Sequence, residues 1–147
     1  MTPASTLISQ QQLIDNAKAP LLGFNEKDWD AVRASMPPGF VYDEVPTGRR
    51  AEGVEEVVTL WQGWAEAFPD ARATIDKELA TTDTVVVEVT WRGTHRGALQ
   101  TPAGPIPASG KRIDIRACFV CDMSEGRVRQ ERHYFDMGTL LHQIGVS

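Results

Sequence analysis

The stretch Arg127-Val-Arg-Gln-Glu-Arg-His-Tyr-Phe-Asp136, running straight into Met137-Gly-Thr-Leu-Leu-His-Gln-Ile-Gly-Val146, decides the fold of this chain. The first segment reads as a strand and the second as an amphipathic helix. Asp136 stands at their junction, beside an aromatic residue and close to Arg132. An acid there is either a working carboxylate at the end of a sheet or the N-cap of the following helix. Facing inward, it marks an enzyme; facing water, it is a cap.

Upstream, Gly53 to Phe68 places Val54, Val57, Val58, Leu60, Trp61, Trp64 and Phe68 on a broad apolar helix face. Ser5 to Leu22 has helical spacing at Leu7, Ile8, Leu13, Ile14, Ala17, Leu21 and Leu22, with a stop expected near Pro20 to Gly23. Asn25 or Asp28 caps a short second helix carrying Trp29, Val32 and Met36, which Pro37-Pro38-Gly39 breaks. Phe40 to Val45 reads as a short strand, and Pro46 to Arg50 as a turn. Four further β segments are expected around Ala73–Ala80, Thr84–Leu99, Arg112–Asp122 and Arg127–Asp136. Gln100 to Lys111 is a Gly- and Pro-rich connection, and Ser124-Glu125-Gly126 is a hairpin turn. Helices first and antiparallel strands after predict an α+β layered fold, with residues 1–147 as one domain.

The 147 residues suffice for one domain with a real core. With 41% apolar and 24% charged residues the chain has a globular composition, and its net charge of −5 argues against a nucleic-acid surface. No apolar run is long enough for a membrane span and no signal-peptide pattern is evident, so a cytoplasmic location is expected. Cys118 and Cys121 have C-x-x-C spacing, but on a strand that spacing sends the thiols to opposite faces, so they read as filler. No metal-spaced His or acid cluster and no phosphate-binding glycine loop occurs; no metal or cofactor is expected.

Strand parity sorts the faces. Val85, Val87, Val89, Trp91, Gly93 and His95 form the interior side of their strand, as do Ile113, Ile115, Ala117, Phe119 and Cys121 of theirs. In the last strand the even face, with Val128, Gln130, Arg132, Tyr134 and Asp136, reads as the more interior one. Charged groups on such a face suggest a pocket. One β-bulge would reverse the parity and bring His133 inward. Otherwise His133 and His142 read as surface or interface residues.

Asp136, with a carboxyl raised by burial or lowered again by Arg132, is the first catalytic candidate. His95 is the second, able to bond a substrate carbonyl or a backbone group. Trp61, Trp64, Trp91 and Phe119 line an aromatic pocket or fill plain core.

The order of motifs resembles the SnoaL-like polyketide cyclases, or ester cyclases, of the nuclear transport factor 2-like fold. The resemblance rests on Phe24-Asn25, Asp28-Trp29, Pro46-Thr-Gly48, Phe68-Pro-Asp70, Trp91-Arg-Gly-Thr-His-Arg-Gly97, Pro107-Ala-Ser-Gly110, Gly126-Arg-Val128, Tyr134-Phe-Asp136 and Leu140-Leu-His-Gln-Ile-Gly145. It implies a cone-shaped, curved antiparallel sheet packed on N-terminal helices around a deep cavity, a cystatin-like roll. It also implies a homodimer through the open sheet face and a small hydrophobic or aromatic polyketide-like substrate. The implied reaction is a cofactor-free intramolecular aldol condensation, with Asp136 as general acid/base; His95 and Arg132 are the further catalytic candidates read from this sequence. Trp91, Tyr134, Gln130, Phe119, Trp64 and Trp61 are the expected substrate-binding set. Relatives often carry Glu at Gln130 and an aromatic at Arg132; Arg132 either pairs with Asp136 or binds a substrate carboxylate. The same fold hosts epoxide hydrolases, isomerases and non-catalytic ligand-binding proteins, which stand as alternatives.

Overall fold

A computed structural model describes residues 8–146. The expected start of the first helix at Ser5 lies outside the described residues, as does Leu7. Helix α1 (Gln10–Asn25) opens at Ser9, whose hydroxyl accepts from the Gln12 N–H while the Gln12 side chain accepts from the Ser9 N–H. Two orphan donors are thereby satisfied. The helix does not stop at Pro20. A proline removes one helical hydrogen bond, but Leu21 and Phe24 beyond it are buried and hold the last turn in place. Gly23 allows helix α2 (Trp29–Ala34) to approach: a Cβ at Gly23 would lie 2.8 Å from Cγ2 of Val32. Asp28 is the cap of α2, accepting from the Ala31 N–H. Asn25 instead brackets the backbone of Ala73, accepting from its N–H and donating to its carbonyl.

Strands β1 (Val41–Glu44), β2 (Arg49–Glu52), β3 (Arg72–Ala80) and β4 (Thr84–Thr94) precede a small hairpin of β5 (Leu99–Thr101) and β6 (Gly104–Ile106). Strands β7 (Arg112–Ser124) and β8 (Arg127–Phe135) follow. The main curved sheet has the order β2-β1-β8-β7-β4-β3. Its pairings are antiparallel except β1 with β8, which run parallel. Strand β2 falls partly where only a turn was expected. Helix α3 (Val54–Ala67) lies after β2, and α4 (Met137–Gln143) closes the described chain. The helices bury Leu13, Leu21, Phe24, Val57, Val58 and Trp61 against the inner faces of Val85, Val87, Val89 and Phe119 in one core. Among the described residues no helix is long and apolar enough to cross a membrane.

The expected strand Thr84–Leu99 ends early, at Thr94, because the Gly93 to Gly97 motif forms a junction. Asp70 accepts from the Thr94 N–H and hydroxyl at 2.6 and 2.8 Å. The Arg96 and Gly97 N–H groups donate to the Ala67 carbonyl at the end of α3. Gly97 presses so closely on α3 that a Cβ there would sit 2.1 Å from the Glu66 carbonyl oxygen. Any side chain at this position would have to displace backbone.

One irregularity positions the site. Along β7 and β8, Asp122 pairs with Gln130 but Met123 with Val128, so Arg129 is an extra residue. This bulge reverses the alternation. Val128 is buried before it; Glu131 and His133 are buried after it, with Phe135 half-buried on the same face. The even-face reading of the last strand is thus corrected beyond Arg129.

Candidate active site

The inner face of the sheet and the helices enclose a narrow cavity that admits the centres of water-sized spheres over about 70 Å³. Helices α1, α3 and α4 contribute Leu21, Phe24, Trp61, Trp64 and Leu140; the sheet contributes Tyr42, Trp91, Ile113, Ile115, Phe119, His133 and Phe135. Phe68 and Ala71 complete the lining. Aromatic rings meet edge to face: Phe24 with Trp61 and Trp91, Tyr42 with Trp61, and Trp64 with Phe135. Among the lining residues only His133 and Tyr42 carry titratable groups. The apolar, aromatic wall suits an apolar or aromatic ligand.

His133 is stacked on Phe119, with ring centroids 4.0 Å apart. Burial pushes its imidazole down to about 3, so the ring is neutral at ordinary pH. The hydrogen bonds assign its tautomer. The Trp91 Nε1–H can only donate, and it donates to His133 Nε2 at 3.3 Å. Nε2 therefore carries the lone pair and Nδ1 the hydrogen. The Nδ1–H donates to Tyr42 Oη at 2.7 Å, and the Tyr42 hydroxyl donates to Glu44 Oε2 at 3.0 Å. Burial and the neighbouring Glu44 push the Tyr42 phenol well up, which keeps that hydrogen on oxygen.

Glu44 is fully buried, and each of its partners is a donor. Trp64 Nε1 donates to Oε2 at 2.8 Å; Thr47 Oγ1 donates to Oε1 at 2.6 Å. Arg49 donates to Oε1 from Nε at 2.9 Å and Nη2 at 2.7 Å, which supplies the charge a buried carboxylate needs. The parallel β1–β8 pairing assembles the set: Glu44 is registered with His133, and Tyr42 with Glu131. Glu131 is buried, and that burial raises its carboxyl to about 8.

The residues expected from sequence separate into two groups. Trp61, Trp64, Trp91 and Phe119 line the cavity. Asp136 does not: it lies on the water side, where Oδ1 accepts from the Gly138 and Thr139 N–H groups and Oδ2 from the Thr139 hydroxyl. Those bonds, the Thr139 hydroxyl first, hold its carboxyl below the usual range. Asp136 is the cap of α4. Arg132 does not pair with it; the guanidinium makes a two-point pair with Asp122 at 2.7 and 3.1 Å on the outer sheet face. Tyr134 points to that outer face and is 42% exposed, while Gln130 sits half-buried at the bulge outside the cavity lining. His95 is buried, but it serves the junction: its Nδ1 accepts from the Ser109 N–H at 3.1 Å and its ring lies against Phe68. The common reason for Asp136, Arg132 and Tyr134 is the extra residue at Arg129, which turns the whole later strand over.

The sequence reading named neither Tyr42 nor Glu44 as a site residue, and brought His133 inward only through a β-bulge, which Arg129 supplies. A signal for Glu44 was present: in Phe40–Val45 the even residues Phe40, Tyr42 and Glu44 share a face, so an acid stands in an apolar row. Asp136→Asn should leave turnover within about twofold of the parent. Faster amide exchange at Gly138 and Thr139 would register the weakened cap.

The sequence profile of the SnoaL-like polyketide cyclase family matches residues 17–144. No curated protein matches the chain. Among solved structures, a candidate SnoaL-like polyketide cyclase from Jannaschia sp. CCS1 is 20% identical, covers 100% of this chain and 99% of its own, and has a TM-score of 0.78. IdmH, a candidate polyketide cyclase from Streptomyces antibioticus, is 24% identical over 92% of this chain and 99% of its own, with a TM-score of 0.76. An epoxide hydrolase of the LEH-like type from M. tuberculosis is 21% identical over 92% and 90%, with a TM-score of 0.69. At these identities the likeness is one of fold.

Proposed function

We propose that this chain, which belongs to the SnoaL-like polyketide cyclase family, closes a ring in a small aromatic, polyketide-like ester by intramolecular aldol chemistry, with His133 as the general base. One observation carries this reading. His133 presents a neutral imidazole, with its lone pair on Nε2, in the wall of an otherwise apolar aromatic cavity. Nε2 removes a proton from carbon next to a carbonyl; the resulting enolate attacks a second carbonyl; the proton then returns from Nε2 to the new alkoxide. Oxidation state is conserved throughout, so the reaction calls for an acid/base group and no redox partner. The indole N–H of Trp91, already directed at Nε2, is displaced when substrate enters and becomes free to donate to an oxygen.

Carbon-proton exchange tests the first step directly. Methyl benzoylacetate in D2O should gain deuterium at its activated carbon faster with the protein than in buffer alone. Exchange at the buffer rate would remove His133 as a base for such carbons.

The water-facing position of Asp136 favours a second reading, a ligand-binding protein without catalysis. It predicts saturable binding of the same ester with no accelerated exchange. Homodimerisation through the outer sheet face belongs to the proposal as well, and the mass in solution tests it.

A further inference from the structure

We infer that Glu44, acting through Tyr42, is the positioning residue of this site: it fixes which nitrogen of His133 carries the lone pair that takes the proton, once Trp91 gives way to substrate, and holds the ring once it is charged. The inference rests on His133 being the base. Four side chains form one directed chain, Trp91 to His133 to Tyr42 to Glu44, in which every hydrogen has one possible place. Reversing the imidazole tautomer would set the Nε2–H against the Trp91 N–H and take the hydrogen from the bond to Tyr42 Oη. The chain has a fixed end because Glu44 accepts only. Its two oxygens are also held by Trp64, Thr47 and Arg49, so the carboxylate stays put when the Tyr42 bond changes.

The proton balance follows from that geometry. A proton leaves the substrate carbon for Nε2, and the electron pair of the C–H bond stays on carbon as the enolate. The ring is now cationic, with its Nδ1–H already directed at an oxygen whose own hydrogen points to a carboxylate. The negative end of this chain lies on the side of the ring opposite the enolate, so the cation is held from both sides. When Nε2 releases the proton to the alkoxide, the chain returns to its first state with no net uptake.

Position in the fold supports the same assignment. Tyr42 and Glu44 are two residues apart on one face of β1, and the parallel register places Glu44 beside His133. A purely structural buried carboxylate would be satisfied by Arg49, Thr47 and Trp64 alone. The hydroxyl of Tyr42 adds nothing to that pairing except the link to the imidazole.

The test is Tyr42→Phe, which removes one oxygen and leaves the other donors to Glu44 in place. Nitrogen-15 NMR of the His133 ring should show a single Nδ1–H tautomer in the parent and a mixture of tautomers in the variant. The saturable exchange of methyl benzoylacetate should lose about tenfold or more in kcat, with KM changed by less than about threefold. Glu44→Gln should move both readouts the same way wherever the variant remains folded by circular dichroism. A Tyr42→Phe protein with the parent's tautomer and kcat would overturn the relay. His133→Gln separates the two levels of the proposal. If that variant keeps full exchange activity, the base assignment itself fails; if it is inactive while Tyr42→Phe is unaffected, only the role of Glu44 and Tyr42 fails.

Discussion

His133→Gln should lower kcat for the proposed enolisation and ring closure by roughly 10²-fold, the low end of what a positioned general base contributes, because burial holds its imidazole well below the pH at which a base is most effective. Glutamine preserves much of the shape and can still bond Tyr42 Oη, but its amide takes no proton near neutral pH. The fold should survive, because Phe119 and the aromatic walls are untouched. Substrate binding should change little, since the contact area is supplied by the rings, and the loss falls in kcat. Asp136→Asn is the paired control: an acid that bonds Gly138 and Thr139 on the water side has no path to the cavity. Equal losses in the two variants would contradict the structural assignment. A His133→Gln protein as fast as its parent would remove it.

Stability should pass through a plateau at about pH 4.5–6.5 and fall on both sides of it. His133 titrates near 6.5 when unfolded and at about 3 when folded. Between those values the unfolded chain binds the extra proton, so stability rises with pH and is lost on acidification. Glu131 behaves oppositely, with 4.5 for the unfolded group and about 8 for the folded one. Between those values the folded chain holds the extra proton, so stability falls as pH rises. From about 4.5 to 6.5 these two slopes cancel, and His95, which burial also holds below its ordinary value, adds a rise with pH toward the top of that window. Below that window the His133 slope stands alone, steepened by Asp70 and Asp122, whose carboxyls hydrogen bonds and Arg132 hold below the usual range. Above it the Glu131 slope stands alone up to about pH 8. Each limb is worth on the order of a few kcal/mol. Urea titrations across pH measure this, and Glu131→Gln should flatten the alkaline limb while leaving the acid limb. A wild-type curve that is level from pH 6.5 to 8 would show that Glu131 is ionised inside the fold.

Much of the architecture is legible in the order of residues. The helix of Val54, Val57, Val58, Trp61 and Trp64, and the alternation in Val85–Trp91 and Ile113–Cys121, are local patterns whose period names the element and its inner face. The family motifs are legible in the same way, and the Gly93–Gly97 run proves to be a junction that fastens β4 to α3. Helix α1 runs past Pro20 because burial of Phe24 outweighs a local preference to stop.

The site is a different matter. Sequence by itself determined an α+β chain of the SnoaL-like family, with Trp61, Trp64, Trp91 and Phe119 as the aromatic candidates and an acid at the start of the last helix. Only the tertiary structure decided where that acid lies and which titratable side chains line the cavity. Side chains alternate with a period of two, so a single extra residue exchanges the faces of everything after it. The extra residue at Arg129 sent Asp136, Tyr134 and Arg132 outward and His133 inward. Tyr42 and Glu44 lie about ninety positions from His133, on a strand that meets β8 only through a parallel, non-local pairing. Register between distant strands is set by packing of the whole core, and no local pattern around Tyr42, Glu44 or His133 encodes it.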